Sequence, residues 1–366
     1  MHTPDASDVD DVLPVSAAGG EAIAHLMRPI APLLAHPKAT EVCINRPKEA
    51  WLEAGSEWTC LQVPTLDFAA LRSLGTAVAT FTSQGVGKTK PLLSATLPTG
   101  ERIQIALPPS VEDGLVSVTI RKPNRSILRL DDFVDQGLFA RVRADAASAG
   151  MVERELLERR DARDYAGFLR LAVRARLNIV VSGATGSGKT TFMKGLMQEV
   201  PVRERVITIE DARELFLPSH KNVVHLLYSK GGQGTAKVDS RDLLHACMRM
   251  RPDRIFLSEL RGSDAFDYID VAASGHPGSI TSTHGGSAAD AFQRLMRMVR
   301  QSPEGAGMQT EDIKLMLLRA IDVLVQFDRD DGGRYVSELY YRPEVKRAAD
   351  AAFVTIDATR IGEGVA

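Results

Sequence analysis

A glycine-rich loop between an apolar strand and a helix constrains this chain more than any other feature. Residues 183–190 read G-A-T-G-S-G-K-T, which satisfies the pattern G-x-x-x-x-G-K-[ST] in full. The apolar run NIVVSG leads into the loop and the helical pattern TTFMKGLMQEV follows it. Because the pattern binds nucleotide phosphates in this strand–loop–helix context, the sequence predicts a P-loop domain of the α/β class.

The residue types of the loop suit the binding of phosphate. Small side chains let successive backbone N–H groups converge on phosphate oxygens, and the next helix adds the positive end of its dipole. We expect Lys189 to reach the β and γ phosphates, and the Thr190 hydroxyl to hold Mg²⁺. The predicted nucleotide-binding residues of this segment are Gly183, Ala184, Thr185, Gly186, Ser187, Gly188, Lys189, Thr190 and Thr191.

A second stretch, residues 85–89, also reads G-x-G-K-T. However, Thr82 stands where the first glycine is required, and Lys90 and Pro91 interrupt the helix that should follow. The sequence predicts an ordinary loop here.

Composition argues against several classes of protein. The 366 residues are 44% hydrophobic with a net charge of −2, which indicates two or three globular domains without a generally basic surface for nucleic acid. Only three cysteines occur and no C-x-x-C pair, so neither a disulfide framework nor a cysteine zinc site is indicated, as expected in a reducing cytoplasm. No apolar run approaches the roughly 18 residues of a membrane span, and the acidic start is unlike a signal peptide. Peripheral attachment through partner proteins stays open.

Composition and periodicity divide the chain into segments. We predict a flexible leader at 1–20, a mixed α+β domain at 21–122, a charged linker at 123–160, the P-loop domain at 161–345 and a tail at 346–366. The first domain is predicted to contain short strands from residue 39 onward and one amphipathic helix over 67–83. Short buried-type strands in the second predict a mostly parallel, twisted sheet that ends in a hairpin.

Glu259 ends the predicted strand RIFLSE. A P-loop sheet brings the carboxyl ends of its strands to the ligand crevice, so we expect this carboxylate to orient or activate the attacking water. Ser258 precedes it, where a Walker B Asp usually stands. Water or another acid would then complete the coordination of the metal.

Two further groups of polar residues allow more than one interpretation. Glu210 and Asp211 end the strand RVITIE, with Glu214 beyond them, and form either a second acidic cluster or a D-x-x-E capping box at a helix start. The run 275–284 ends in His284, which suits either a sensor of the γ phosphate or a satisfied structural histidine.

Taken in order, four segments resemble one known family. The P-loop, TIEDARELFLP, PDRIFLSELRG and GHPGSITSTHGGS are similar to the Walker A motif, acidic box, glutamate-ended Walker B motif and histidine box of the type II and type IV secretion ATPases. The segments LPTGERIQIALPP, VSVTIRKP and HKNVVHLLYSK resemble the VirB-type traffic ATPases of type IV secretion in particular. No cysteine follows Cys247, so the four-cysteine zinc module of some relatives is absent from this sequence.

The resemblance implies a homohexameric ring of RecA-like ATPase domains and N-terminal domains, with ATP and Mg²⁺ bound between the two domains. It implies that Glu210 joins Thr190 as a metal ligand, and that Arg102 and Arg121 of the N-terminal domain approach the phosphates. With the motif chemistry it gives four catalytic residues: Glu259, Glu214, Lys189 and His284.

The implied function is an ATP-hydrolysing motor at the cytoplasmic face of the inner membrane that powers substrate export or pilus biogenesis. Its partners would be other secretion ATPases and inner-membrane channel components, and direct binding of nucleic acid is not expected. The alternatives are a conjugative-transfer or pilus-retraction motor of the same superfamily, and a nucleotide-dependent scaffold with little turnover. A RecA-like DNA motor fits the acidic balance less well.

Overall fold

The computed structural model describes residues 17–123, 129–140, 150–229 and 234–362. Most of the predicted leader lies before residue 17, outside this described part. The chain forms two compact units, one with residues 17–108 and 113–123, the other with 109–112 and the described residues from 129 onward. Within the described residues, no helix has the length and apolar character needed to span a bilayer.

The first unit is an antiparallel sheet with helices packed on it. Its helices are α1 (Ala17–Met27), α2 (Ala31–Ala35) and α3 (Phe68–Phe81). Its strands are β1 (Ala39–Ile44), β2 (Glu49–Ala54), β3 (Glu57–Gln62), β4 (Leu92–Thr96), β5 (Arg102–Ala106) and β6 (Ser117–Arg121), in the order β3-β2-β1-β6-β5-β4. The predicted mixed α+β domain is therefore confirmed.

Helix α3 shows how the sequence determines one of these elements. The Asp67 side chain accepts a hydrogen bond from the Ala70 amide at 2.7 Å and so caps the helix start. Leu71, Leu74 and Val78, at helical spacing, are buried in the core of this unit. Residues 85–89, the second G-x-G-K-T stretch, form a loop as predicted.

The second unit is a seven-stranded sheet flanked by helices. Its strands are β7 (Ile179–Gly183), β8 (Val206–Glu210), β9 (Val223–Leu227), β10 (Arg254–Leu257), β11 (Ile280–Thr283), β12 (Val323–Asp330) and β13 (Gly333–Tyr341). The order is β13-β12-β7-β11-β10-β8-β9, and every pair is parallel except the hairpin β12–β13. The predicted mostly parallel sheet is therefore confirmed.

Nine helices are described in this unit. They are α4 (Leu130–Asp135), α5 (Met151–Asp161), α6 (Tyr165–Arg174), α7 (Lys189–Met197), α8 (Ser240–Cys247), α9 (Asp264–Ala273), α10 (Ala288–Val299), α11 (Thr310–Ala320) and α12 (Pro343–Gly362). All residues of β7, β8, β10 and β11 are buried. Both faces of a parallel sheet are covered, which explains why these strands read as short apolar runs.

Helices also occupy parts of the predicted linker and tail. Within the linker segment, Leu156 of α5 is buried in the same core as Phe168 of α6. Leu156 is the one buried residue of the charged helix α5, so its sequence periodicity is weak. The tail segment contains most of α12, where Ala349 is buried. Residues 124–128 and 141–149 of the predicted linker lie outside the described residues.

Candidate functional site

A cleft of about 650 Å³ lies at the carboxyl edge of the parallel sheet, a size common for small-molecule sites. The P-loop, the segments after β8, β10 and β11, helix α10 and the start of β13 supply its walls. The lining residues are Thr185, Gly186, Gly188, Lys189, Thr190, Thr191, Asp211, Glu214, Ser258, Glu259, Arg261, Ser282, His284, Arg294 and Arg334. The structure thus brings the P-loop together with all four predicted catalytic residues.

Glycines give the P-loop its path around the start of α7. Gly183 has φ +153°, and a Cβ added there would lie 2.6 Å from the Phe327 carbonyl oxygen on β12. Gly188, with φ +98°, immediately precedes α7 and its N-terminal amides. Three predicted binding residues, Gly183, Ala184 and Ser187, shape the loop behind those that line the cleft.

Lys189 is the cation nearest the loop backbone. Its ammonium Nζ donates to the carbonyl oxygens of Gly183 at 2.7 Å and Ala184 at 2.8 Å. Burial lowers the pKa of Lys189, and the nearby Glu259 charge opposes that shift. A phosphate would offer this ammonium a charged acceptor, which is a stronger partner than a neutral carbonyl.

Glu259 is held between Arg261 and His284. Its Oε2 accepts a hydrogen bond from Arg261 at 2.6 Å, and its Oε1 lies 2.7 Å from His284 Nε2. Burial alone would raise the pKa of Glu259, but the Arg261 hydrogen bond and the charges of Arg261, His284 and Lys189 outweigh burial and lower it. Glu259 is therefore an ionised acceptor at neutral pH.

His284 connects the end of β11 to both the P-loop and Glu259. Its Nδ1 lies 3.2 Å from the Gly183 carbonyl oxygen, while its Nε2 faces Glu259. The ring therefore bridges the P-loop backbone and the Glu259 carboxylate. Of the two interpretations of His284, its position in the cleft favours a role beside the phosphates.

Arg261 is a site residue that the sequence analysis missed. Its guanidinium donates to Asp211 Oδ2 at 2.6 Å as well as to Glu259, so it joins the segments after β8 and β10. The hydrogen bond to Glu259 is the main cause that raises the pKa of Arg261. Arg261 lies two residues after Glu259, but the sequence does not show that the side chain turns back onto that acid.

Two further arginines of the cleft were also missed. Arg334 is the second residue of β13, and its Cδ would lie 3.3 Å from a Cβ added to Gly188, so the hairpin covers the P-loop. Arg294, which lies on α10 and follows the histidine box in the sequence, also lines the cleft. With Lys189 and Arg261, four cations face the three carboxylates of the lining, a charge balance that suits a polyanionic ligand.

Glu210 does not line the cleft, in contrast to its predicted role as a metal ligand. It is fully buried, and its Oε2 accepts from the backbone amides of Glu214 at 2.7 Å and Leu215 at 2.6 Å. No helix forms within residues 211–222, all of which are described, so the capping-box interpretation is wrong. Glu210 accepts the hydrogen bonds of the Glu214 and Leu215 amides. In a capping box the Asp211 side chain would accept from the Glu214 amide, but here it pairs with Arg261.

Arg102 and Arg121 belong to the first unit. They are paired opposite each other on β5 and β6, so the two cations share one end of that sheet. Arg121 Nε also lies 3.3 Å from a carboxylate oxygen of Glu41. Their contact with nucleotide stays a prediction.

Comparison with known proteins identifies the family. The model of the family described as "Type II/IV secretion system protein" matches residues 28–326, most of the chain. This chain belongs to that family. The predicted resemblance is therefore confirmed.

The relatives of this secretion ATPase belong to type IV secretion systems. The type IV secretion system protein VirB11 of Brucella suis is 49% identical over 327 residues, which cover 88% of this chain and 91% of the relative. The PtlH homolog of Bordetella bronchiseptica, also a type IV secretion system protein, is 41% identical over 86% of this chain and 94% of its own. The crystal structure of the Brucella suis VirB11 ATPase in complex with sulphate superposes with a TM-score of 0.87 at 47% identity, covering 91% of this chain and 98% of that one. The chain is accordingly a nucleotide-binding ATPase of type IV secretion.

Proposed function

We propose that this secretion ATPase works as a homohexameric ring that couples ATP hydrolysis to substrate export or pilus biogenesis at the cytoplasmic face of the inner membrane. The observation that carries the proposal is the meeting of Lys189, Glu259 and His284 at one cleft beside a P-loop. The similarity to type IV secretion proteins of Brucella and Bordetella over most of their length supports a role in type IV secretion.

In the proposed reaction the P-loop amides and Lys189 hold the phosphates and neutralise the charge that grows on the transferred group. Glu259, kept ionised by its neighbours, accepts a hydrogen bond from the attacking water and directs it at the γ phosphate. His284 fixes the orientation of Glu259 through their 2.7 Å contact. Glu214, in the same lining, is proposed to act on the water or the metal shell from the side of β8.

Mg²⁺ fits this cleft through oxygen ligands. Thr190 lines the cleft at the start of α7, where its hydroxyl can serve as a ligand. Among the described residues, no three or more His, Cys, Asp or Glu side chains are grouped so that they could hold a metal. We therefore propose that nucleotide phosphates and waters supply most of the remaining coordination, as is usual for Mg²⁺. Bound there, the ion would neutralise charge on the β and γ phosphates.

Arg102 and Arg121 are proposed to add positive charge from the N-terminal domain of the same or a neighbouring subunit. Their pairing across β5 and β6 presents two guanidinium groups together, which suits a polyphosphate. A ring in which nucleotide state changes the placement of these domains would couple hydrolysis to movement. The partners proposed are other secretion ATPases and inner-membrane channel components, and no direct nucleic-acid contact.

The proposal is tested on the purified full chain. We expect a particle of six times the mass of one chain, by native mass spectrometry with Mg²⁺ and ATP, and continuous phosphate release that Lys189→Ala abolishes. In a strain that lacks the gene, the wild-type gene should restore export and the Lys189→Ala gene should not. A monomer with the same turnover would overturn the ring, and a hexamer without phosphate release would favour the scaffold alternative.

A further inference from the structure

Both carboxylate oxygens of Glu210 accept hydrogen bonds from groups inside the protein. It ends β8 and is fully buried. One carboxylate oxygen, Oε2, accepts from the amides of Glu214 and Leu215 at 2.7 and 2.6 Å. The other, Oε1, accepts from the Thr208 hydroxyl at 2.7 Å and lies 3.5 Å from Arg213 Nη1.

Two hydrogen bonds in series, from His225 to Thr208 and from Thr208 to Glu210, end at Oε1. Because Thr208 gives its hydrogen to Glu210, its oxygen is left to accept from His225 Nδ1, 2.7 Å away. Burial lowers the pKa of His225, so the ring is neutral and carries its hydrogen on Nδ1. Burial alone would raise the pKa of Glu210, but His225 Nδ1, 3.7 Å from Oε1, and the hydrogen bonds from Thr208 and the two amides outweigh burial and lower it. Glu210 is an ionised carboxylate stabilised entirely by the fold.

The amides that Glu210 binds belong to the segment that forms one wall of the cleft. Asp211 and Glu214 line the nucleotide cleft on either side of Arg213, within a stretch that has no helix to fix its backbone. One of the two bound amides is that of Glu214 itself. The position of the Glu214 backbone relative to β8 is therefore set by Glu210.

We propose that Glu210 is a positioning residue that clamps residues 211–215 so that Glu214 faces the nucleotide, and that it is not a ligand of Mg²⁺. This rests on the proposed function, which gives Glu214 its role in the reaction. Coordination of a metal by Glu210 would need the carboxylate to turn away from two amides and a hydroxyl. A buried donor left without a partner is destabilising, so the clamp is the more stable arrangement.

The first experiment separates the clamp from a metal ligand. Steady-state phosphate release is measured against Mg²⁺ concentration for wild type, Glu210→Gln and Glu210→Ala in the full chain. We expect Glu210→Ala to lower kcat about tenfold or more, with the Mg²⁺ concentration for half-maximal rate unchanged within about twofold. Glu210→Gln should retain much more activity, because its amide oxygen can still accept from both backbone amides. A tenfold higher Mg²⁺ requirement in both variants, relieved by Mn²⁺, would overturn the proposal.

Glu204→Gln is the matched control for the loss of a buried carboxylate. Glu204 is also buried and pairs with Arg254 at 2.6 Å, but it does not line the cleft. We expect it to lower thermal stability and leave kcat near wild type. An equal loss of kcat in Glu204→Gln and Glu210→Ala would mean that general loosening of the fold explains both, and the clamp would be rejected.

Hydrogen exchange and a double variant then test the clamp directly. Amides of residues 211–216 should exchange at least about tenfold faster in Glu210→Ala, because the two bound N–H groups lose their acceptor. Glu214→Ala should lower kcat, and adding Glu210→Ala to it should lower kcat little further. If Glu214→Ala alone keeps full turnover, the proposed function of Glu214 fails, while faster exchange still supports the clamp. Unchanged exchange in Glu210→Ala would overturn the clamp itself.

Discussion

The two edges of the parallel sheet both contain arginine–carboxylate pairs, but the pairs differ in their exposure to water. At the amino edge, where β10 begins, the Arg254 side chain is 0% exposed and its partner Glu204 is 9% exposed. At the carboxyl edge, where the strands end, Arg261 is 34% exposed and its partner Glu259 is 17% exposed. The N–O distance is 2.6 Å in both pairs, so the surroundings, not the contact, distinguish them.

At the amino edge each guanidinium nitrogen of Arg254 has a protein acceptor. Arg254 donates to Glu204 at 2.6 Å and also to the carbonyl oxygens of Val173 at 2.9 Å and Gly278 at 3.3 Å. Such a cluster cannot exchange its partners without leaving a buried charge unpaired, which is strongly unfavourable. These contacts join α6, β10 and the turn before β11.

Asn178, just before β7, extends this network at the same edge. Its side-chain nitrogen donates to the carbonyl oxygens of Ala272 and Ala320, at 3.2 and 2.8 Å, and its oxygen accepts from the amides of Gly278 and Ser279. All four hydrogen-bonding positions of the amide are used. At the carboxyl edge, by contrast, Lys189 and Arg261 line an open cleft. Phosphate oxygens can replace the protein acceptors that these two side chains bind there. One edge therefore stabilises the sheet and the other is available for chemistry.

The largest expected effect is at the carboxyl edge. Lys189→Ala should lower turnover about a thousandfold, because it removes the charge that stabilises the transferred phosphoryl group, and should change the melting temperature by only a few degrees. Phosphate release and calorimetry on the same preparation measure both quantities. Turnover at the wild-type level would rule out this cleft as the ATPase site.

At the amino edge the effect should be reversed, with stability lost and chemistry kept. Arg254→Ala leaves the buried Glu204 with only the partly exposed Arg176, 3.3 Å away, which costs about 3–5 kcal/mol and should lower the melting temperature by about 10 °C or more. At low temperature, kcat of the folded protein should stay near wild type. The double variant Arg254→Met with Glu204→Leu should recover most of the stability, because no buried charge remains. A variant that stays stable but loses turnover would contradict the contrast between the edges.

Glu259→Gln tests the water-orienting role. The amide keeps the shape but cannot accept hydrogen bonds with both groups, so we expect kcat to fall about a hundredfold. Binding of a fluorescent ATP analogue should be little changed, because the P-loop and Lys189 are intact. If the variant binds the analogue more weakly but has a normal kcat, Glu259 contributes to nucleotide binding and not to hydrolysis.

Arg261→Gln should change the pH dependence. In wild type the pKa of Glu259 is held below its ordinary value of 4.5, so loss of kcat/KM through protonation occurs only as the pH falls below that value. Without the guanidinium, burial favours the protonated acid and the acidic limb should move to higher pH. Profiles of kcat/KM for both proteins measure the shift, with Arg170→Gln, an exposed arginine paired with Glu199, as control. Superimposable limbs would mean that Arg261 does not control the charge of Glu259.

The smallest effect is expected at Arg334. Its aliphatic chain covers Gly188 and its charge faces the cleft, so Arg334→Ala should weaken nucleotide binding by about three- to tenfold and leave kcat almost unchanged. Equilibrium titration with ADP detects this change, and Arg329→Ala on the same hairpin is the control. A loss of kcat without a loss of affinity would place Arg334 among the catalytic groups.

The sequence predicted the parts of this site that depend on motif spacing. The P-loop, Glu259 and His284 follow strands, and parallel strands end at one edge of the sheet, so their convergence could be expected. The role of Glu210 could not. All residues of β8 are buried, so there is no alternation of polar and apolar residues to indicate which way its last side chain turns. Asp211, one residue further, faces the cleft, and only the fold distinguishes the two acids.

Arg261 and helix α5 were missed for different physical reasons. Arg261 is positioned by pairing with Asp211, which is distant in sequence, and no local pattern records such a contact. Helix α5 is highly charged and buries only Leu156, so its periodicity is too weak to separate it from a linker. Helix α3, whose pattern is clearly amphipathic, was predicted within two residues of its observed bounds.

The position of β7 in the sheet has a consequence for the order in which a new chain acquires its site on the ribosome. The strand that leads into the P-loop lies between β11 and β12, and both are translated after residues 184–279. At about 5–20 residues per second, β7 waits on the order of 10 s for β12. During that interval its apolar residues and unpaired backbone groups are exposed, so nascent chains should depend on protection by chaperones until residue 330 has emerged.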